Sequence, residues 1–438
     1  RPLMSLFSRN TSRPPSTSHN RLKALLLRPS QDIVDSIAEA TAAIGAASPI
    51  PSAHKGKLPA NIRELSHMLT DERGSLERPY WSSPGLSAAY LYFFLPWNLY
   101  RLAWLLPNLE LGLQPGSRIL DLGSGPLTLP LALWCARPEL RSMPLHFTCS
   151  DLALQPMALG RSILSILGKD KLPWQISLVK APLDKALSFP KTQPFDCITA
   201  GNVLNELADE RSERGRSTLA DRIGKVMHRA SGCLAPEGKI LLVEPGTRLG
   251  GKPVAEVREA AMDAGLKPLA PCPHDRNCPM LSHESGQRGF RDSPAYSGWC
   301  HFSFPVVDAT AGLVELGRKA QLEKHALALS CLLLAAETTE EAAGKQAISE
   351  SGAQSIPFGD ELAELEALYE EIMSETPENS NKPATAGFSD RSSSGGVSSP
   401  AQMERQDLGA MPVRVISGPI HINGLDGAAR YSCWEKGL

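Results

Sequence analysis

"RILDLGSGPLTLPLAL", residues 118–133, runs an apolar strand into a glycine turn and then into an apolar helix. Asp121 sits at the strand's end, Gly123 and Gly125 make the turn, and the helix begins near Leu127. Small residues at such a turn let the backbone approach a ligand closely. Further along, "LHFTCSD", "QISLVKA", "FDCITAGN" and "KILLVEPG" read as strands separated by helical stretches. Short apolar strands alternating with helices predict a doubly wound parallel sheet.

The second strand ends in Asp151, where an acid can hydrogen-bond ribose hydroxyls. That spacing fits a dinucleotide as well as S-adenosylmethionine. Three details favour S-adenosylmethionine. Asp121 stands immediately before the glycines, where it can face the ligand's ammonium group through water or backbone. No third glycine follows to admit a pyrophosphate at the helix N-terminus. The stretches "FDCITAGNVLNEL" and "GCLAPEGKILLVEPG" have the order of the fourth and fifth strands of class I methyltransferases. The expected cofactor contacts are Asp121, Gly123, Gly125, Asp151 and Asn202. No catalytic residue is identified, because "GNVLNEL" stands where an Asn-Pro-Pro-aromatic amine-recognition motif would lie. Asn205 and Glu206 can contact cofactor or substrate, or simply cap the next helix.

The chain has 438 residues and a net charge of −2, so it has ample core and no global basic signature of a nucleic-acid binder. A basic patch on one face remains compatible with phosphate contacts. No apolar run is long enough for a transmembrane helix, since "AAYLYFFLPWNLYRLAWLLP" is broken by Pro96, Trp97, Asn98 and Arg101. It reads instead as a buried helical hairpin. The chain starts at Arg1 rather than Met, as a fragment or a processed form would. Several Arg and Ser and no acid precede Asp32, a pattern open to a mitochondrial transit peptide or a disordered tail.

Nine cysteines divide into two kinds. Cys135, Cys149, Cys197, Cys233 and Cys331 lie in apolar helix or strand patterns and read as small core residues in a reducing compartment. Cys272, Cys278, Cys300 and Cys433 lie in polar or Pro-rich loops. In "APCPHDRNCPM" (270–280) prolines stiffen the chain around two thiols, and Cys300 follows in "SGWCHFSF". Three exposed thiols converging in one loop would invite oxidation unless they bind a metal, either zinc or an iron–sulfur cluster. The short two-residue spacings of zinc ribbons are absent, while His274, His283 and His301 keep a mixed Cys/His zinc site open.

The chain divides as follows. Residues 1–60 form a weakly ordered arm with a helix around "QDIVDSIAEATAAIGAA", and 61–116 a helical subdomain. Residues 117–269 form the Rossmann-like core, 270–304 the cysteine-rich loop, and 305–371 a continuation of the core. There "HALALSCLLLAA" is strand or helix. Residues 372–407, rich in Ser, Gly, Pro and Asn, are a disordered linker, and 408–438 are C-terminal strands that complete the sheet. No internal repeat is present.

"APCPHDRNCP" with "WCHF", following "LVEPGTRLGG", resembles the Rsm-type methyltransferase-like family of the mitochondrial small ribosomal subunit and its bacterial relatives. The aromatic stretch "AAYLYFFLPWNL" is similar to the segment this family places before its first strand. The resemblance covers roughly residues 60–335 and resumes at 412–437. It implies a class I S-adenosylmethionine-dependent methyltransferase fold with an N-terminal helical region and a cysteine-rich metal-binding insertion. It also implies association with the small ribosomal subunit and its rRNA, and a 4Fe-4S cluster held by four cysteines. Carried onto this chain, the ligands are Cys272, Cys278, Cys300 and, from the C-terminal strands, Cys433. Two departures stand out: Leu127, placed to crowd the cofactor's methionine end, and the inserted linker.

Two functions compete at this point. One is an enzyme methylating ribosomal RNA or a ribosomal protein, and the other a non-catalytic assembly factor that keeps the fold and binds rRNA, with a structural zinc or iron–sulfur site. A radical S-adenosylmethionine enzyme would want a Cys-x3-Cys-x2-Cys loop, which is absent. The expected protein is a monomer away from membranes, in a bacterial cytoplasm or, alternatively, the mitochondrial matrix.

Overall fold

The computed structural model describes residues 25–70, 80–169, 171–188, 193–204, 219–272, 278, 280–281 and 299–336, with four short strands beyond residue 413. Five strands fall where the apolar runs predict them. These are β1 (Arg118–Leu122), β2 (Leu145–Asp151), β3 (Trp174–Lys180), β4 (Phe195–Gly201) and β5 (Leu234–Pro245). They are parallel to one another, in the order β3-β2-β1-β4-β5. The apolar run after residue 325 resolves as a strand, β8 (Ala326–Ala336), antiparallel to β5. On its far side β8 pairs with β6 (Leu266–Ala270) and β7 (Phe302–Pro305). Both carry proline, Pro268 and Pro305, which an edge strand tolerates because one row of its backbone groups needs no partner.

Helices cover both faces, so the central strands are buried on both sides and read as near-continuous apolar runs. One face packs against α1 (Gln31–Ala47), α5 (Leu95–Ala103), α6 (Thr128–Ala136) and α7 (Leu154–Gly168). The other packs against α9 (Leu219–Gly232) and α10 (Arg248–Asp263), with the single turn α8 (Leu183–Ala186) beside them. The helix α11 (Ala311–Ala320) precedes β8. The segment expected as an arm is, from residue 31, part of the core. Ile33, Ile37, Ala40 and Ile44 recur along α1 at helical spacing and bury one face completely or nearly so. Only the first 24 residues of that expected arm lie outside the described residues.

Between α1 and the sheet come α2 (Ser52–Lys55), α3 (Leu58–Thr70) and α4 (Pro84–Ala89), and then a π turn over Tyr90–Phe94 that runs straight into α5. Pro96, at the start of α5, has no N–H to donate to the preceding turn, which suits a break in helical register there. The aromatic segment is thus one continuous helical run from Pro84 to Ala103 rather than the expected hairpin, and its rings pack in series: Tyr80 on Tyr90, Tyr90 on Phe94, and Phe93 edge-on to Trp97. No described helix is long and apolar enough to cross a membrane.

The C-terminal strands correct an expectation. β9 (Arg414–Val415) pairs with β12 (Ser432–Cys433), and β10 (Ile420–His421) with β11 (Ala428–Ala429). Among the described residues neither ladder joins the eight-stranded sheet. Two-residue strands close cheaply on partners near in sequence, whereas joining the large sheet would order a far longer loop. The chain falls into two units, Arg1–Glu337 with Met411–Leu438, and Thr338–Ala410. The second, with the expected linker at 372–407, lies outside the described residues.

Candidate functional site

In a sheet of order β3-β2-β1-β4-β5 the connections reverse direction between β1 and β4, and ligands bind in the crevice beyond the strands' C-terminal ends at that point. Asp121, Gly123, Gly125, Asp151 and Asn202 all lie at that end. The turn after β1 is stitched to β2: Ser124 N–H donates to the Ser150 carbonyl at 3.0 Å, and Gly125 N–H to Asp151 Oδ2 at 2.9 Å. Asp151 Oδ1 also accepts from Ala153 N–H at 3.0 Å. The acid expected to meet a ribose thus also holds the glycine turn in shape.

Both glycines are demanded by the backbone. Gly123 and Gly125 have φ of +60° and +50°, which side chains with a Cβ rarely adopt. A Cβ on Gly123 would also lie 2.1 Å from Val203 Cγ1, whereas one on Gly125 would meet open space. Gly123 therefore serves packing, and Gly125 leaves a bare backbone facing the crevice. Gly160 of α7 completes the arrangement, because a Cβ there would strike the Pro126 carbonyl at 2.3 Å.

Asp121 is 1% exposed. Its Oδ1 accepts from the Thr199 hydroxyl of β4 at 2.6 Å, while Oδ2 makes no hydrogen bond among the described residues. Burial lifts this carboxyl to about 7, against the pull of the Thr199 and Ser124 hydroxyls, and nearby Asp151 adds to the rise. A buried carboxylate oxygen without a partner fits a cationic or N–H-bearing ligand group. Leu127 takes φ +57° and is fully buried in the core, so it lines no open site. This corrects the expectation that Leu127 crowds a cofactor.

Asn202 has φ +60°, a conformation asparagine tolerates better than most residues, and its N–H donates to the Val243 carbonyl at 2.9 Å. Its backbone alone explains the residue type. Asn205 and Glu206 lie outside the described residues. Sequence reasoning gave no role to Glu244, at the end of β5. Its buried carboxylate accepts from the N–H groups of Val203 and Leu204 at 2.8 and 2.9 Å. An acid ending a strand in "LVEPG" was the available signal.

The core cysteines are where the apolar patterns put them. Cys135, Cys149, Cys197, Cys233 and Cys331 are buried, and burial pushes the thiols of Cys135 and Cys197 up to about 12. The loop cysteines differ from expectation, since Cys278 and Cys300 are buried and Cys272 is half-buried. Helix α10 holds this segment. Glu259 Oε1 accepts from Cys278 N–H at 2.9 Å and from Arg258 Nη1 at 2.5 Å. Arg258 is 2% exposed. Burial alone would lower its basicity, but Cys272, Glu259 and Cys278 beside it raise it instead. Burial also pushes the Cys278 thiol up to about 11.

Cys300 is pinned from another side. Its carbonyl accepts from Ser330 Oγ at 2.6 Å, and Trp299 Nε1 donates to the Gly246 carbonyl at 2.8 Å. Among the described residues no three His, Cys, Asp or Glu side chains gather closely enough to hold a metal ion. Cys272 and Cys278 lie within electrostatic reach of one another beside α10, and the Cys300 carbonyl is held by Ser330 of β8. The side chain of Cys433 lies outside the described residues, as do His274 and His283.

Strand order, glycine turn and acids together define a Rossmann-like doubly wound α/β domain with a ligand crevice at its switch point. Residues 111–328 match the family model of the mitochondrial small ribosomal subunit protein Rsm22. No curated protein matches the chain. Among solved structures it is similar to TrmN from Thermus thermophilus, at 22% identity and TM-score 0.25 over 39% of this chain and 41% of that one. The chain thus spans about two fifths of the Thermus protein. It is also similar to a Listeria monocytogenes protein assigned to the class I S-adenosylmethionine-dependent methyltransferases, at 11% identity and TM-score 0.35, covering 70% and 89% of the two chains. A third likeness is to precorrin-6y C5,15-methyltransferase from Geobacter metallireducens, at 14% identity and TM-score 0.29, covering 52% and 84%. The fold rests on the strand order above rather than on these partial superpositions.

Proposed function

We propose that the chain binds S-adenosylmethionine in the β1–β4 crevice and acts, as a monomer in the mitochondrial matrix, on the small ribosomal subunit and its rRNA. The observation that carries the reading is the pairing of a bare backbone at Gly125 with a buried, unpartnered oxygen on Asp121. The cofactor would bring the transferable methyl group. The chain's part is to cradle it at Gly125, offer Asp121 Oδ2 to its ammonium group and Asp151 to its ribose. The ribosomal assignment follows from the family, and it moves the expected location from a bacterial cytoplasm to the mitochondrion.

Calorimetry with S-adenosylmethionine tests the reading. The parent protein should bind, and Asp151→Ala should bind about ten-fold more weakly, as the loss of a charged hydrogen-bond partner requires. No binding at millimolar cofactor would sink it. Crosslinking in cells should recover small-subunit rRNA.

A second reading, an assembly factor that binds cofactor without transferring its methyl group, is favoured by one feature. Residues 202–204 read Asn-Val-Leu where an amine-recognition motif would place proline. Single-turnover transfer to immature subunits separates the two.

The cysteine segment extends the proposal to a 4Fe-4S cluster on Cys272, Cys278, Cys300 and Cys433, with zinc as the alternative. Its support is the buried Arg258 cation beside two of the thiols, which would balance thiolate charge. Protein purified without oxygen should carry about four irons per chain. Stoichiometric zinc without labile sulfide would replace the cluster with a zinc site.

A further inference from the structure

Beyond the contacts expected of the crevice, one buried acid ties its parts together. Glu244 is 1% exposed and ends β5, next to β4 in the sheet. Through a single oxygen, Oε1, it receives the successive N–H groups of Val203 and Leu204. Both N–H groups belong to the chain as it leaves β4, and a buried carboxylate is favoured where it receives two backbone donors at once. Glu244 therefore holds, from a neighbouring strand, the segment that follows β4.

That segment reaches the glycine turn directly. Val203 Cγ1 occupies the place a Cβ on Gly123 would need, with only 2.1 Å between them. Asn202, one residue earlier, is anchored by its N–H to the Val243 carbonyl, adjacent to Glu244. Three successive residues, 202 to 204, are thus hung from the end of β5, and the middle one bears on the turn after β1. Moving the Glu244 carboxylate would release Val203 from Gly123 and change the shape of the crevice on the β4 side.

We propose that Glu244 is a positioning residue for the cofactor site, holding residues 202–204 against the turn at Gly123. It touches no ligand in this role and acts through those two N–H groups. The inference rests on the proposed binding of S-adenosylmethionine in the crevice.

The test compares the parent, Glu244→Gln, Glu244→Asp and Glu244→Ala by calorimetry with S-adenosylmethionine and by hydrogen exchange at the amides of Val203 and Leu204. Glutamine keeps an oxygen that can accept both bonds, so Glu244→Gln should bind within about three-fold of the parent, whereas alanine, losing both, should bind about ten-fold or more weakly. Glu244→Asp, which withdraws the acceptor, should fall between them. Exchange at the two amides should quicken in the same order, while amides of β1 and β2 stay protected. If Glu244→Ala fails to fold, the glutamine and aspartate variants still carry the comparison. Equal cofactor affinity across the folded variants would overturn the positioning role and leave the binding site standing. A parent protein that binds no cofactor would take down both.

Discussion

The turn after β1 and the segment around Cys278 each present an ionisable group to a site, yet they are built in opposite ways. At the turn the parts are near in sequence or adjacent in the sheet: Asp121 is paired in register with Thr199, and Gly125 N–H reaches Asp151 at the end of the next strand. Sheet register alone aligns them. The cysteines are held from outside, Cys278 by Glu259 of α10 and Cys300 by Ser330 of β8. Positions given by register tolerate little change, whereas positions given by single side chains can be loosened one at a time.

The largest expected effect is at Asp121. Its carboxyl is raised to about 7, so the folded protein holds a proton that the unfolded chain gives up near pH 4. The sign follows: stability is greatest at low pH, falls as pH rises through about 4 to 7, and is flat above, by about 4 kcal/mol in total. Thermal unfolding of the ligand-free protein should show this fall relative to Asp121→Asn, in which it should vanish. A difference that does not change with pH would mean that the register leaves Asp121 ionised.

Next come the two glycines. Gly123→Ala meets both a left-handed backbone and Val203, and should cost about 3 kcal/mol and abolish cofactor binding. Gly125→Ala meets only the backbone strain, about 1 kcal/mol, yet should also weaken binding. Equal stability losses would erase the distinction between a packing glycine and a ligand-facing one.

The smallest effect belongs to the cysteine segment. Glu259→Gln keeps an acceptor for Cys278 N–H but removes the charge beside Arg258, and should cost about 1 kcal/mol. The readout is faster amide exchange at Cys278 with less change at Cys300, whose carbonyl is held by Ser330 rather than by Glu259. Coordinated loosening of both would show that they belong to one unit.

Much of the glycine-turn half was legible because its information is local. Five apolar runs gave five strands, and Asp121, Gly123, Gly125 and Asp151 stand where the strand ends put them. What escaped was information carried between distant residues. β6 and β7 were missed because Pro268 and Pro305 read as breakers until β8 is known to leave them at an edge. Cys278 and Cys300 read as exposed because Pro-rich loops usually are, and only Arg258, Glu259 and Ser330 reveal otherwise. Nothing near Glu244 in sequence shows that it receives the N–H groups of Val203 and Leu204, some forty residues earlier. The place of residues 31–47 in the core is invisible locally because α1 buries its apolar face against helices that follow much later.

One corner of the chain joins both regions. Within four residues, Glu244 holds the segment after β4, the Gly246 carbonyl receives Trp299 next to Cys300, and Thr247 caps α10 through Gly250 N–H. At Gly246 a Cβ would lie 2.5 Å from that of Ala328 and 2.7 Å from the Leu329 nitrogen. Residues 244–247 therefore answer to two sets of neighbours at once, and no substitution there can be compensated on one side alone. In a library of random variants this corner should be the least forgiving stretch of the surface-bound connections, with an intolerance that follows from geometry whatever the site turns out to bind.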